Sequence, residues 1–453
     1  MILMKKATKS TMLYQKVRRL ELKGLCILFL LIPLLLPSCG YARVEQPYTE
    51  TDSQPDSMQQ KDVIELKIAT IRHPQDHWGM DNDIQLAAAS FNQDNPDCHI
   101  IVVDYSEDGK INVDNALRRI NTEIISGNYP DMICFSQISP YPFISKDLLL
   151  NMDDCIASDP TVSPNDIVSI QALRSFGGLF LLGSNITVDT LVARYSQFGS
   201  RYGWTLQEYL NLEASCSPDT WMIYNITHEE FLKKTAQRYT RTAIDWSEGI
   251  CDFYNENFIE ILLASSRIQD RQANESNALS GFTGALVSQG KLIAAVAQTD
   301  QVYSFALNEL DAGEELSYIG WPTVDGSCGT DIRFQHPVGI VSKSKHVEEC
   351  WRFVKYLLQE HNIKYGIPVY MPRLLTEIND AQSSEEKNTQ MTRRQAERLL
   401  DLLVHVENTA LYDDEVIEII MSESTDFFAG YKTAEETAEA IQSKVSLYVA
   451  EQK

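Results

Sequence analysis

A chain of 453 residues, 44% hydrophobic and 9% aromatic, can build two or more ordinary domains, and its net charge of −24 argues against nucleic acid or another polyanion as partner. The acidity lies after residue 38: seven Lys and Arg and one Glu precede that point, so the remainder carries about −30. Seven cysteines follow Cys39, an odd number with no C-x-x-C pair, a pattern of small buried hydrophobes rather than of a disulfide framework.

In chain order, the first feature is a basic stretch (Lys5, Lys6, Lys9, Lys16, Arg18, Arg19, Lys23) followed by an apolar run from Gly24 to Pro37. This is the n-region and short h-region of a signal peptide, and the run is too short to span a bilayer comfortably. Leu36-Pro37-Ser38-Cys39 resembles the bacterial lipobox, in which the cysteine becomes the lipidated first residue of the mature protein. Residues 1–38 are therefore expected to be a lipoprotein signal and Cys39 the lipidation site, carrying a palmitate-type anchor at the membrane surface. An uncleaved anchor or a plain secretory signal leads to the same extracytoplasmic compartment. Residues 39–62 are polar and without apolar period, which predicts a flexible tether.

Order is expected to begin at Ile64, where Ile64, Leu66 and Ile68 alternate with Glu65 and Lys67 as in a strand. Ile84, Ala87, Ala88 and Phe91 predict a helix from about Asp83 to the turn Asn95-Pro96-Asp97. Ile100 to Val103 is a continuous apolar run suited to a strand buried on both faces. Val113, Ala116, Leu117, Ile120 and Ile124 predict a second helix closed by Gly127 and Pro130, and Met132 to Phe135 a third strand. Strand, helix, strand, helix, strand in about 70 residues is an open α/β sheet with right-handed crossovers.

Further along, Leu179–Leu182 and Val188–Val192 read as strands, 204–280 as mainly helical, and Leu292–Val296 as a strand leading into Gln298-Thr299-Asp300-Gln301. Val338–Val341 is another strand, before a helix whose one face holds Val347, Cys350, Trp351, Val354 and Leu357. The last 70 residues read as helical, with a capping box at Thr433-Ala434-Glu435-Glu436.

Catalytic signatures are weak. Gly284 to Lys291 is one residue too long for a phosphate-cradling loop and has Leu292 where Ser or Thr would hold magnesium, and neither H-E-x-x-H nor G-x-S-x-G occurs. His73-Pro74-Gln75-Asp76-His77 offers two imidazoles and a carboxylate to a transition metal, but the proline works against a helical i, i+4 arrangement. No metal ligands are assigned on this ground.

The order of segments resembles the extracellular solute-binding proteins of family 1, lipoproteins that deliver sugars to ABC importers. The resemblance runs from about Leu66 to the C-terminus and rests on Asn128 to Ile133, Gly203 to Tyr209, Ile244-Asp245-Trp246 with Cys251-Asp252-Phe253, Tyr318 to Thr323, Ser342 to Lys345 with Trp351 to Val354, Gly366-Ile367-Pro368, and Phe428 to Glu436. It implies an α/β, two-lobed periplasmic-binding-protein-like fold with a hinge and an interlobe ligand cleft. One lobe would hold 63–182 plus 342–380 and the other 188–336 plus 381–453, with crossings near 183–187 and 336–341. It also implies a binding protein rather than an enzyme, with no cofactor, whose partners are a small-molecule solute, sugar above all, and the ABC permease subunits. Binding of a metal ion or other small solute, or a sensor or enzyme on the same scaffold, stays open beside it.

A sugar in such a cleft needs an aromatic face and planar groups that pair with adjacent hydroxyls. Strand ends facing the cleft supply the candidates: Arg72, His77 and Trp78 after the first strand, with Trp78 as stacking platform, and Ser136, Gln137 and Tyr141 after the third. Ser184 and Asn185 stand at the first crossing, Thr299, Asp300, Gln301 and Tyr303 after the second-lobe strand, and Tyr370 and Arg373 after Gly-Ile-Pro. Trp246 and Trp321 read as core aromatics.

Overall fold

The computed structural model describes residues 63–71, 83–107, 110–136, 138–174, 176–217, 220–224, 226–268, 284–359, 365–386 and 389–452. The signal, Cys39, the tether, the His73 to His77 stretch and the candidates Arg72, His77, Trp78 and Gln137 lie outside these residues. The strands among them are β1 (Ile64–Thr70), β2 (Cys98–Asp104), β3 (Met132–Cys134), β4 (Asn185–Arg194), β5 (Trp221–Ile223), β6 (Ile244–Asp245), β7 (Ile250–Cys251), β8 (Leu292–Thr299), β9 (Leu316–Tyr318), β10 (Asp331–Gln335), β11 (Val338–Ile340) and β12 (Ile367–Pro368).

The first sheet runs β11-β3-β1-β2, with β1 parallel to β2 and β3 and with β11 antiparallel at the edge. Parallel neighbours require crossovers, and the two amphipathic helices supply them. Helix Asp83–Asp94 buries Ile84, Ala87, Ala88 and Phe91, the i, i+3, i+4, i+7 stripe. Helix Val113–Ser126 buries Ala116, Ile120 and Ile124; the Asn112 side chain accepts from the Asn115 N–H at its start, and Gly127 ends it at a φ of 83°.

The second sheet is built on the ten-residue β4, flanked by β10 and β8 in antiparallel pairing, with β12 and β9 joined at opposite ends of β4 and β5 parallel to β8. β6 and β7 form a small hairpin. Helices His228–Ala243, Glu256–Arg267, Asp414–Phe428 and Ala434–Gln452 pack together around Phe231, Phe258, Ile420 and Val445. The last of these starts at the expected box: the Thr433 N–H donates to the Glu436 carboxylate, and the Glu436 N–H donates to the Thr433 hydroxyl.

The chain passes between the sheets at points that lie side by side. Leu182 bridges to Val338 of the first sheet, and three residues later Asn185 opens β4; on the return, Gln335 pairs with Asn185 and β11 begins at Val338. Gly183 permits this approach, since a Cβ there would lie 2.7 Å from the Gln335 carbonyl oxygen. A further passage brings β12 against Asn185 and Ile186 before the helix Met371–Ser383. Both sheets lie in one compact unit.

Two differences from the sequence reading have physical causes. Leu179–Leu182 pairs only through the Leu182 bridge; the run is apolar because Leu179, Leu181 and Leu182 are buried between other elements, a signal that does not separate a strand from buried coil. The short strands β5, β9, β10 and β12 are too brief or too polar, as in Asp331-Ile332-Arg333-Phe334-Gln335, to show a period of two.

Candidate functional site

Where β3 ends, Ser136, Ser139 and the short helix Tyr141–Ile144 lie against Trp246 and the helices Asp414–Phe428 and Ala434–Gln452. The Tyr141 ring lies stacked on Trp246, with centroids 4.7 Å apart and planes at 24°, and Tyr448 meets Trp246 edge-on at 6.4 Å. Trp246 follows β6 in a turn of Asp245, Ser247 and Glu248, and it is half-buried at this seam, packed at the edge of the core around Phe231 and Phe258. Trp321 is the core residue, fully buried.

Asp413 caps helix Asp414–Phe428, accepting from the Val416 N–H at 3.2 Å. Its other oxygen accepts from the Ser139 hydroxyl, 274 residues away in sequence, and from the Tyr448 hydroxyl, each at 3.2 Å. Burial pushes the Asp413 carboxyl up, against the pull of these hydrogen bonds. The Tyr141 phenol is pushed up to about 12, chiefly by burial, with Arg241 drawing it down and Asp413 raising it.

Behind the seam two guanidinium groups share one carboxylate. Asp331 on β10 is 2% exposed and pairs with Arg238, itself 3% exposed, and with Arg241 at 3.1 Å. Arg238 is held on its other sides by the carbonyls of Gly329 (2.7 Å) and Lys234 (2.8 Å). Each guanidinium keeps one buried nitrogen, Arg238 Nη2 and Arg241 Nε, with no hydrogen-bond partner among the described residues. The buried Tyr412 phenol lies beside this group; burial and Asp331 raise it while Arg238 and Arg241 draw it down. Arg238 and Arg241 also line a cavity of about 310 Å³ with Thr242, Tyr239, Glu407 and Asn408, at the lower end of the usual size for a small-molecule site. A cavity of about 340 Å³ around Trp221 and Arg267 shares no residue with the seam.

At the return crossing stands His336, buried and with a φ of 49°. Its Nδ1 lies 3.2 Å from the Ser136 hydroxyl and its Nε2 3.5 Å from Asp83. Burial draws the imidazole down, but the Asp83 carboxylate and Cys134 outweigh it and raise His336 to about 10.

Of the residues singled out in the sequence, Ser136 stands at the return crossing, within hydrogen-bond distance of His336. Asn185, Asp300, Tyr370 and Arg373 come together around the passage through 365–373. The fully buried Asn185 donates to the Tyr365 carbonyl at 3.0 Å and accepts from Arg373 at 3.3 Å. The Asp300 carboxylate accepts from Ser304 at 3.0 Å and its carbonyl from the Gly366 N–H at 2.6 Å. The Tyr370 hydroxyl lies 3.3 Å from the Gln359 amide, which donates to it. Tyr303 immediately precedes helix Ser304–Ala312. The sequence reading did not single out Arg241, Asp331, Tyr412, Asp413 or Tyr448. A tryptophan inside a polar turn, and the Asp-Asp-Glu start of a helix after Tyr412, were the available signals. Among the described residues no group of three His, Cys, Asp or Glu side chains could hold a metal ion. None of their helices is long and apolar enough to cross a membrane.

No protein-family model matches the chain, and no curated protein matches it. Among solved structures it is similar to an extracellular solute-binding protein of family 1 from Alicyclobacillus acidocaldarius, at 15% identity over 86% of this chain and 99% of that one, with a TM-score of 0.53. The sugar-binding protein MalE of Xanthomonas citri matches at 15% identity over 85% and 98% of the two chains, with a TM-score of 0.55. A periplasmic oligogalacturonide-binding protein of Yersinia enterocolitica matches at 15% over 86% and 100%, also with a TM-score of 0.55. The class these define is the two-lobed α/β fold of extracellular solute-binding proteins. The resemblance read from the sequence thus reappears in the fold, over most of the chain.

Proposed function

We propose that the protein is an extracytoplasmic solute-binding lipoprotein of an ABC importer, which takes a carbohydrate, most simply an oligosaccharide, between its lobes and delivers it to a membrane permease without altering it. The lobes are those of the sequence reading, 63–182 plus 342–380 and 188–336 plus 381–453. The observation that carries the reading is the seam itself. Tyr141 and Trp246 stack on each other there while Ser139 and Tyr448 donate to Asp413, so parting the seam would free aromatic faces and polar groups of the kind that bind sugars. Arg72, His77, Trp78, Ser136 and Gln137 complete the first-lobe side of the proposed site, and Asn185, Asp300, Tyr303, Tyr370 and Arg373 its hinge edge. The names of the similar structures, a sugar-binding protein and an oligogalacturonide-binding protein, accord with this solute class. Because two lobes meet around the ligand, binding energy shifts the population of closed forms, which a permease can recognise.

The test is a panel of mono- and oligosaccharides in a thermal-shift assay, on the wild type and on Trp246→Ala. A bound sugar is expected to raise the melting temperature by mass action, and the variant to bind about 1–3 kcal/mol more weakly, the usual cost of a lost aromatic contact at a binding hot spot. No response to any sugar, or a chemically altered sugar recovered afterwards, would count against the reading. A response lost on adding chelator would move it to a metal ligand.

Anchoring is a separate part of the proposal and rests on Leu36 to Cys39. Cys39→Ala is expected to leave the protein unprocessed or released, read by membrane fractionation and by labelling with a fatty-acid analogue. Undiminished label on the variant sinks the assignment.

A further inference from the structure

Ser139 and Tyr141 present to the seam what a bound sugar would present. The Ser139 hydroxyl donates to one Asp413 oxygen at 3.2 Å, and the Tyr141 ring lies on Trp246 with centroids 4.7 Å apart and planes at 24°. A sugar offers its hydroxyls to a carboxylate and its ring to an aromatic face in the same way. The two groups act as one unit, since the Tyr141 N–H donates to the Ser139 hydroxyl at 3.4 Å. Their partners also form one unit: Tyr448 donates to the same Asp413 oxygen and meets Trp246 edge-on at 6.4 Å. Withdrawal of Ser139 and Tyr141 therefore uncovers an indole face and a carboxylate position that Tyr448 holds together.

The seam is joined through side chains. Besides the two contacts above, the Ser145 hydroxyl donates to the Gln452 carbonyl at 3.2 Å. Among the described residues no backbone-to-backbone hydrogen bond joins 138–145 to 244–251 or to 413–452. The passages between the sheets are held by strand pairing instead, Gln335 on Asn185 and Ile367 on Ile186. Side-chain contacts part without loss of a strand ladder, so opening falls at the seam and not at the passages. Tyr141 keeps a partner when it leaves Trp246, because Phe176 meets it edge-on at 5.1 Å.

Resting on the carbohydrate reading of this site, we propose that Ser139 and Tyr141 are an internal stand-in for the solute: they occupy Asp413 and Trp246 in the ligand-free protein, and a sugar binds there only by displacing them. The affinity measured is then the intrinsic one reduced by the fraction of molecules in which the seam has parted. Ser139 and Tyr141 thus set how tightly the protein holds its solute by competing with it.

The experiment is calorimetric and stopped-flow titration of the wild type, Ser139→Ala, Tyr141→Ala and the double variant with maltotriose, cellotriose and trigalacturonate. A sugar that binds the wild type is expected to bind each single variant at least threefold more tightly and the double variant at least tenfold, through faster association at unchanged dissociation. Binding that is unchanged or weaker in variants that melt normally overturns the inference and leaves the carbohydrate reading standing. No binding of any of the three sugars by any of the four proteins counts against the carbohydrate reading itself. A second measurement needs no sugar: acrylamide quenching of Trp246, taken as the difference between each protein and its Trp246→Phe counterpart. Trp246 should be at least twofold less quenchable in the ligand-free wild type than in Tyr141→Ala. Equal quenching shows that the seam already stands open in solution and overturns the inference whatever the sugars do. Ser139→Ala removes one hydroxyl from a half-buried residue, so a folding failure confined to Tyr141→Ala leaves the affinity comparison in place.

Discussion

Asp331→Ala is expected to destabilise the protein by about 3–5 kcal/mol, the cost of removing one partner from a buried ion pair and leaving the other charge uncompensated. Asp331 and Arg238 are 2% and 3% exposed, so Arg238 would have little solvent to replace the lost carboxylate. Arg238 would keep its bonds to the Gly329 and Lys234 carbonyls, which carry only partial charge. Denaturant unfolding of the ligand-free variant measures the effect. A loss below about 1 kcal/mol would show that water reaches the pair and screens it as at a surface. Lys432, whose pairs with Glu423 and Asp426 lie at the surface, serves as the contrast: replacing it should change stability little.

The fold was legible where local period and long-range architecture agree. From Leu66 to Cys134, alternation, an i, i+3, i+4 stripe and a continuous apolar run each identify one element, and the crossover rule assembles them. β4 was half legible: Val188 to Val192 reads as a strand, but its first residues, Asn185 to Thr187, carry the passage between sheets and no hydrophobic signal of their own.

The site was less legible, for a reason of geometry. Its residues come from positions 139, 141, 241, 246, 331, 413 and 448, and no local window holds more than two of them. Arg238 and Arg241 sit three apart near the end of a helix, a pattern that reads as a solvated face with favourable placement for the dipole, and only the return of β10 buries them. Asn185 and Arg373 were singled out as polar groups at strand ends. That they bond to each other, 188 residues apart, follows from β12 folding back on β4, which the sequence pattern does not announce.

His336 should make stability fall as pH rises through the neutral and mildly alkaline range. The imidazole stands at about 10 in the folded protein against 6.5 for an ordinary histidine, because the Asp83 carboxylate and Cys134 outweigh its burial. The folded state therefore holds the proton more tightly than the unfolded chain. The stabilisation is fully present below pH 6.5 and is lost between pH 6.5 and 10, amounting to at most about 5 kcal/mol at 1.36 kcal/mol per pH unit. Protonated, the ring holds its charge 3.5 Å from Asp83 at Nε2 and donates from Nδ1 to Ser136, which ties the return crossing at 336 to the start of helix Asp83–Asp94 and to the end of β3. His336→Asn is the informative variant, since asparagine tolerates the positive φ of this position better than other uncharged residues. Melting temperatures from pH 5.5 to 10 should drop more steeply for the wild type than for His336→Asn, the two curves converging toward pH 10. Parallel curves would mean that the imidazole is neutral throughout. The contact with Asp83 would then be a weak polar one, and the crossing would owe its position to the Leu182–Val338 bridge and the close approach at Gly183 alone.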